Sequence, residues 1–355
     1  MMEVASRKLT GPASRGLALL LVMLSSILLA GCDSGPEEHR FQGPIFGTGY
    51  HVTAYADLEE DDVAKLESGI LAELERIDAL MSTYRDDSEL SHFNRLPVGV
   101  PFFVSPATAE VIRESKHIAQ LSQGAFDITV GPAVNLWGFG PEGRPEKVPD
   151  SSTLNEALTR VDVGALRLED GILHKTKPVY VDLSGIAKGY ASDRVADYLE
   201  ASDIENYLVE IGGEIRTHGH KPDGSPWRIA VEKPVSSERS VQRIIDLKAA
   251  AVATSGDYRN YFEADGVRYS HTIDPRTGRP IDNRVASVTV ITKRCATADA
   301  LATAFTVMGA EAGLAMAERE NIAVYFVVRE GDGFETRMSS SFEPYLDEPA
   351  AEEEA

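Results

Sequence analysis

The segment Tyr180-Val-Asp-Leu-Ser-Gly-Ile-Ala-Lys-Gly-Tyr190 passes from a strand-like run, through a serine-glycine turn, into a helical run. Apolar residues alternate with polar ones before Ser184-Gly185, and the apolar period is helical after it. Free amides at a helix start can bind an anion, and Lys188 follows within one turn, so this is a candidate phosphate site. A tight strand-to-helix connection explains the pattern equally well. The spacing is neither that of a Walker loop nor that of a dinucleotide-binding fingerprint.

Outward from this segment, strand-like and helical runs are mixed without regular β-α-β alternation. Short apolar or alternating runs that end at Gly or Pro predict strands, and apolar residues at helical spacing predict helices. This mixture predicts an α+β fold with a substantial antiparallel sheet. The predicted strands are 50–54, 179–183, 207–211, 228–231, 285–291 and 323–328, and the predicted helices are 66–81, 106–124, 186–199 and 297–308.

Both ends of the chain are expected to lie outside the folded body. Positive residues precede an apolar run that ends in Leu29-Ala30-Gly31-Cys32, which resembles a bacterial lipobox. We therefore expect a signal peptide over 1–31, an acylated Cys32, a tether over 32–42 and a folded body over 43–345. An ordinary secretory signal, in which Cys32 is incidental, is the alternative. The acidic, small-residue-rich segment 346–355 predicts a disordered tail.

The net charge restricts which partners the chain can bind, and the cysteine content restricts which disulfide bonds it can form. The net charge of −21 argues against nucleic acid, which needs clustered Lys and Arg. A small anion remains compatible with this charge, because a metal ion and local amides can hold it. Cys32 and Cys295 are the two cysteines of the chain. If Cys32 carries lipid, no intramolecular disulfide is possible, and Cys295 is expected to be a buried apolar residue.

Three further segments carry polar residues in arrangements that suit a binding site. Asp299 and Thr303 are four residues apart and share one face of a predicted helix, where their oxygens would suit a hard cation. Spacing alone favours the simpler reading, a capping Asp and a solvated Thr. Gly124–Gly140 places polar residues between apolar ones before two aromatics, which suits either an aromatic ligand or an edge strand. His271 lies beside Ser270, Thr272 and the predicted turn 274–278, where neighbours could set its tautomer.

Eight short motifs together resemble, in order, the motif series of the ApbE family. Each motif alone is weak, but the series covers the chain from about Gly43 to Phe342. The resemblance implies an α/β fold related to the T-fold, with a mixed sheet and flanking helices. The motifs are Phe46-Gly-Thr48, Met81-Ser-Thr-Tyr84, Ala125-Phe-Asp127, Asp182-Leu-Ser-Gly-Ile-Ala-Lys-Gly189, Glu210-Ile-Gly-Gly213, Thr254-Ser-Gly256, His271-Thr-Ile-Asp-Pro275 and Thr297-Ala-Asp-Ala-Leu-Ala-Thr303.

The resemblance also implies site residues, and it reverses the simpler reading of Asp299 and Thr303. Those two residues and a backbone carbonyl near Gly185 would ligate Mg²⁺. Because a hydroxyl nucleophile is weak at neutral pH, a general base is also expected, and His271 is the candidate, with Asp257 as the alternative. The residues implied to line the FAD site are Phe46, Tyr84, Ala125, Phe126, Asp127, Lys188, His271 and Ile273.

The activity implied by the family is transfer of FMN from the substrate FAD to a Thr or Ser hydroxyl of a target protein, with release of AMP. Some members instead hydrolyse FAD to FMN and AMP, and a passive flavin-binding lipoprotein is a third alternative. The implied target is a subunit of a membrane redox complex, such as an Rnf-type or Na⁺-translocating quinone reductase. The implied location is the inner membrane, facing the periplasm, through a lipid on Cys32.

Overall fold

The computed structural model describes residues 35–141, 143, 148–232, 241–256, 261–264, 267–331 and 333–346. The chain divides into two units, Met1–Glu37 and Glu38–Ala355, and the second contains nearly all of the described residues. Cys32, Asp257 and the predicted tail beyond Leu346 lie outside the described residues. The first strand begins at Glu37, so the sheet includes 37–42, which the sequence had assigned to the tether.

The main sheet has eight strands, and the alternating apolar runs of the sequence form several of them. The described strands belong to this main sheet and to four smaller sheets. In chain order they are β1 (Glu37–Ile45), β2 (Thr48–Ala56), β3 (Phe102–Phe103), β4 (Leu166–Glu169), β5 (Ile172–Lys175), β6 (Asn206–Ile211), β7 (Glu214–His218), β8 (Trp227–Glu232), β9 (Val241–Leu247), β10 (Ala250–Gly256), β11 (Tyr261–Ala264), β12 (Val267–Ser270), β13 (Ile273–Asp274), β14 (Arg279–Pro280), β15 (Val285–Thr292), β16 (Ala323–Glu330) and β17 (Gly333–Met338). Their order in the main sheet is β1-β2-β6-β7-β10-β15-β16-β17. The neighbours from β2 to β17 pair antiparallel.

The four helices that the apolar periodicity predicts are present, and four further helices within the described ranges were not predicted. Ser105 caps one of them, because its side chain accepts a hydrogen bond from the Thr108 N–H, and Pro106 occupies the first turn. No helix within the described ranges has the length and apolar character needed to span a membrane. The helices are α1 (Glu60–Met81), α2 (Glu89–Arg95), α3 (Pro106–Leu121), α4 (Gly131–Leu136), α5 (Ser151–Leu158), α6 (Ala187–Ala201), α7 (Cys295–Met308) and α8 (Ala310–Glu320), with 3-10 turns at Val163–Ala165 and Ser340–Tyr345. The four predicted helices are α1, α3, α6 and α7.

The sheet is covered on both faces, which confirms the predicted α+β fold with a large antiparallel sheet. Buried residues of α1, α6 and α7 pack with strand residues such as Val209 and Val288 in one large apolar cluster. A second cluster joins the β8–β9 hairpin to residues such as Val252, Val327 and Phe342. Strand side chains alternate between the two clusters, as the period of a strand requires.

Two sequence predictions about strands are wrong. Residues 179–183 do not form a strand: the side chain of Asn94 donates a hydrogen bond to the Val181 carbonyl and accepts one from the Val181 N–H, both at 2.8 Å. These two bonds satisfy the backbone of Val181, and the adjacent Tyr180 forms an isolated bridge with Val130 in place of a strand ladder. The edge strand considered for Gly124–Gly140 is also wrong, because this segment contains α4. Trp137 after α4 is buried, and its Nε1–H donates to the Gly278 carbonyl at 2.7 Å.

Helices α6 and α7 pack closely because a glycine lies at their contact. A Cβ on Gly189 would lie 2.7 Å from the Cys295 carbonyl carbon and 2.8 Å from the Asp299 Cβ. We expect Gly189→Ala to lower the free energy of unfolding by about 1–3 kcal/mol, because overpacking exceeds the gain in helix propensity.

The matched control for this prediction is Gly69→Ala in α1. The three atoms nearest to a Cβ at Gly69 all belong to the outer end of the partly buried Tyr198 side chain, which can move. Thermal unfolding of both variants should therefore show the larger decrease for Gly189→Ala. Equal melting temperatures for Gly189→Ala and wild type would contradict the close packing of the two helices.

Candidate active site

A cleft of about 720 Å³ lies beside the main sheet. This volume lies within the usual range of small-molecule and cofactor sites. Most of the site residues predicted from the sequence line it. They are Ala125, Phe126, Asp127, Gly185, Lys188, His271, Ile273, Asp299 and Thr303.

A buried carboxylate from α6 holds the N-terminus of α7, the helix that carries Asp299 and Thr303. The fully buried Asp193 accepts hydrogen bonds from the N–H groups of Cys295 and Ala296 at 2.9 and 3.0 Å. A carboxylate at this end satisfies two otherwise unpaired amides and opposes the positive end of the helix dipole. Arg216 also donates to Asp193 at 2.9 Å, so the buried charge is compensated.

Two side chains of α7 that line the cleft, Asp299 and Thr303, carry oxygens without hydrogen-bond partners among the described residues. Oδ2 of Asp299 accepts the Gly189 N–H at 3.0 Å, whereas Oδ1 has no hydrogen-bond partner among the described residues. The Thr303 hydroxyl, one turn further along, likewise has none in the described part of the chain. A Cβ on Gly185 would lie 3.3 Å from Thr303 Oγ1, so the Gly185 backbone is adjacent to this hydroxyl. Burial raises the pKa of Asp299, and the Lys188 ammonium opposes this shift.

Lys188 lies between two buried carboxylates at the edge of the same cleft. Its Nζ is 3.2 Å from Glu214 Oε1 and 3.8 Å from Asp299 Oδ2. Burial disfavours the charge of Lys188, but the Asp299 and Glu214 carboxylates raise its pKa, so the ammonium stays protonated. Burial raises the pKa of Glu214, and Lys188 opposes the shift. Glu214 was not predicted from the sequence, although it directly follows the motif Glu210-Ile-Gly-Gly213.

The motif Ala125-Phe-Asp127 forms one wall of the cleft. Asp127 uses both carboxylate oxygens internally: Oδ1 accepts from the Thr129 N–H at 2.7 Å and from its hydroxyl at 2.6 Å, and Oδ2 accepts from the Val163 N–H at 3.0 Å. Burial raises the Asp127 pKa, and these bonds oppose the rise. Asp127 therefore fixes the shape of the wall, and the adjacent Phe126 ring, next to Gly185, offers the apolar surface.

His271 and Ile273 reach the cleft from the segment between β12 and β14. The His271 ring meets the Phe139 ring edge-on, with centroids 6.4 Å apart. Thr272 lies between the two and is buried, with its N–H accepted by Ser270 Oγ at 3.2 Å. The predicted turn 274–278 is confirmed, because the Asp274 carbonyl accepts the Gly278 N–H at 2.8 Å. The turn fixes the backbone that presents His271.

Phe46 and Tyr84 are predicted FAD-site residues that the structure does not bring to the cleft wall. Phe46 lies in the β1–β2 turn with a φ of 51°, and its side chain packs partly on the main core. Tyr84 is 69% exposed, and its hydroxyl donates to the Phe139 carbonyl at 3.3 Å. Because Phe139 lines the cleft, Tyr84 lies at its rim. Asp257, the alternative base, lies outside the described residues.

The cleft lining is acidic, which bears on whether an anionic nucleotide needs a metal there. Lys188 is the single Lys or Arg among the described lining residues, whereas six of these residues are acidic. These acidic residues are Asp127, Asp182, Glu210, Glu214, Glu232 and Asp299. A pyrophosphate needs additional positive charge in such surroundings.

The available donor set suits Mg²⁺. No three His, Cys, Asp or Glu side chains converge as a metal-binding group within the described ranges. Mg²⁺ does not require such a group, because it binds one or two carboxylates together with neutral oxygens and substrate phosphates. Asp299 Oδ1, Thr303 Oγ1 and the backbone at Gly185 supply oxygens of that kind. The residues present therefore fit the ion.

Comparison with known proteins identifies the family. The model of the ApbE family matches residues 46–326. The chain belongs to the ApbE family. An FAD:protein FMN transferase of Vibrio cholerae is 52% identical over 328 residues, which are 92% of this chain and 98% of that protein.

Solved ApbE structures share the fold. The flavin transferase ApbE of Vibrio cholerae matches with a TM-score of 0.81 and 50% identity, over 88% of this chain and all of that one. The apo flavinyl transferase ApbE of Pseudomonas stutzeri matches with a TM-score of 0.82 and 42% identity, over 90% of this chain and all of that one. The predicted ApbE membership and fold are thereby confirmed.

Proposed function

We propose that this chain transfers the FMN part of FAD to a Thr or Ser hydroxyl of another protein and releases AMP. The observation that carries the proposal is one nucleotide-sized cleft that holds the unpartnered oxygens of Asp299 and Thr303 together with His271. The relatives named FAD:protein FMN transferase, which match nearly the whole chain, support the same activity.

Asp299, Thr303 and the Gly185 carbonyl would hold Mg²⁺ in the proposed site. When bound, the ion neutralises charge on the FAD pyrophosphate and on the departing AMP. Lys188 lines the cleft nearby and offers a second positive charge to the phosphates. Phe126 and Ile273 give apolar surface for the ring systems of FAD, and Tyr84 would approach the bound nucleotide from the rim.

In the proposed reaction the target hydroxyl oxygen attacks the phosphorus on the FMN side of the pyrophosphate. A new oxygen–phosphorus bond forms, and the bond from that phosphorus to the bridging oxygen breaks. AMP leaves with the bridging oxygen, and FMN remains on the target as a phosphoester. His271 takes the proton of the hydroxyl, because a hydroxyl is a weak nucleophile at neutral pH. Asp257 is the alternative base.

Incubation with FAD and Mg²⁺, with and without a Thr-containing target protein, separates three activities. Transfer releases AMP only with the target present and leaves the flavin on the target. Hydrolysis releases FMN and AMP whether or not the target is present. A passive flavin-binding protein leaves FAD intact in both reactions. Chromatography of the nucleotides distinguishes these outcomes, and we expect the first.

The location of the enzyme and its partners are also proposals. Cleavage of the signal peptide 1–31 and acylation of Cys32 would anchor the chain to the inner membrane, facing the periplasm. Asp33 resembles the retention signal of some inner-membrane lipoproteins. The folded body, whose first strand begins at Glu37, would then work beside membrane redox complexes, whose Rnf-type or Na⁺-translocating quinone reductase subunits are candidate targets, and the residues beyond Leu346 would be a disordered tail.

Cys32→Ser should move the protein from the membrane to the soluble fraction and remove labelling by radioactive palmitate. The physical reason is that lipid on this residue is the proposed anchor. Cys295→Ser is the matched control: Cys295 is buried in the structure, so its replacement should leave labelling unchanged. Membrane retention of unlabelled Cys32→Ser would refute the lipid anchor.

A further inference from the structure

Glu214 is a buried carboxylate for which the proposed reaction has no task. It begins β7, and its side chain is only 6% exposed. Oε1 lies 3.2 Å from the Lys188 ammonium. Oε2 is buried without a hydrogen-bond partner among the described residues. A buried carboxylate is costly unless it is compensated, so its position beside the candidate metal ligands calls for an explanation.

Lys188 connects Glu214 to the candidate metal ligand Asp299. Its ammonium lies 3.8 Å from Asp299 Oδ2, slightly further than from Glu214. The ammonium is therefore the protein's own counterion for Asp299 when no metal is bound. A divalent cation that binds Asp299 must compete with this ammonium, because two cations near one carboxylate repel each other.

We propose that Lys188 is an internal counterion which metal binding displaces from Asp299, and that Glu214 is a positioning residue which retains the displaced ammonium. This inference rests on the proposed metal site at Asp299 and Thr303. Glu214 makes the displacement less costly, since the ammonium keeps the shorter of its two ion pairs. The lysine then stays charged at the cleft wall, where an anionic substrate can meet it.

The proposal predicts changes of opposite sign for the two partners. Lys188→Met removes the competing cation and leaves two carboxylates beside the site, so affinity for a divalent cation should rise at least about tenfold. Glu214→Gln removes the second ion pair and leaves Lys188 with Asp299 alone, so affinity should fall by about tenfold or more. If Lys188 and Glu214 had only structural roles, both substitutions would weaken binding of the divalent cation.

The experiment is titration of the FAD-free protein with Mn²⁺, with free Mn²⁺ measured by electron paramagnetic resonance. Lys188→Arg keeps the charge and should bind within about threefold of wild type. The double variant Lys188→Met/Glu214→Gln should bind more tightly than Glu214→Gln alone, because the competitor is gone. This comparison keeps the proposal testable if Lys188→Met alone does not fold.

Asp299→Asn separates failure of this inference from failure of the metal assignment. If Asp299→Asn binds Mn²⁺ like wild type, the metal assignment itself is wrong. If Asp299→Asn loses the site, but the lysine and glutamate variants bind like wild type or both bind more weakly, only the counterion proposal is refuted. Tighter Mn²⁺ binding by Lys188→Met together with weaker Mn²⁺ binding by Glu214→Gln supports the counterion proposal.

Discussion

Asp299→Asn should reduce FMN transfer at least about 100-fold at limiting Mg²⁺, since a metal that stabilises transition-state charge contributes several kcal/mol. The variant keeps the size of the side chain and an acceptor for the Gly189 N–H, so the fold should persist. What it loses is the negative charge of the proposed metal ligand. Initial rates measured across a series of Mg²⁺ concentrations test this prediction.

Two further variants test whether the lower transfer activity of Asp299→Asn results from weaker metal binding. Thr303→Ala should be less damaging, because a neutral hydroxyl contributes less to a hard cation than a carboxylate does. Glu210→Gln also removes a charge from the cleft lining, but Glu210 is engaged with the Gly213 N–H at 2.7 Å and with His51. The loss of activity in Glu210→Gln should be far smaller than the loss in Asp299→Asn. Full activity of Asp299→Asn at limiting Mg²⁺ would show that Asp299 is not a ligand.

His271→Ala is expected to slow transfer by about 10²–10⁴-fold at saturating FAD, the usual cost of removing a general base. Binding of FAD should change little, because it would depend on the metal and the cleft walls. The acid limb of the pH–rate profile should disappear in the variant, since histidine is the side chain that ordinarily titrates between pH 5 and 8. The rate of transfer is measured under single-turnover conditions. The affinity for FAD is measured separately, from the change in flavin fluorescence on binding.

Added imidazole and a second variant sharpen this test. Imidazole in solution should partly restore the rate of His271→Ala by replacing the lost base, and it should not affect wild type. Asp257→Asn should retain most activity if His271 is the base. If His271→Ala regains the full wild-type rate merely at high FAD, the residue only holds the nucleotide, and Asp257 or the metal activates the hydroxyl.

Local sequence rules were sufficient for the features that depend on neighbours along the chain. The spacing of Asp299 and Thr303 placed both on one face of α7, and Ser105-Pro106 marked the start of α3. The turn after His271 followed from its composition. Each of these depends on residues within one or two turns of each other, which is the range over which capping and periodicity act.

Features that depend on distant residues could not be predicted in this way. Asp193 caps α7 from a position 102 residues before Cys295. Asn94 satisfies the backbone of Val181, 87 residues away, and so removes a strand that the alternation predicted. Glu214 becomes a partner of Lys188 only because β7 and α6 are packed together. No local pattern encodes such contacts, and the motif series identified the site only through resemblance to a family.

Intact-mass analysis of a Thr-containing target protein shows directly whether FMN is transferred to a protein hydroxyl. The target is incubated with the enzyme, FAD and Mg²⁺, beside a second target in which the acceptor Thr is replaced by Ala. We expect the first target to gain the mass of one FMN phosphoester while an equal amount of AMP is released, and the Ala target to gain nothing. FAD cleaved to free FMN and AMP with both targets unmodified would contradict the proposed transfer.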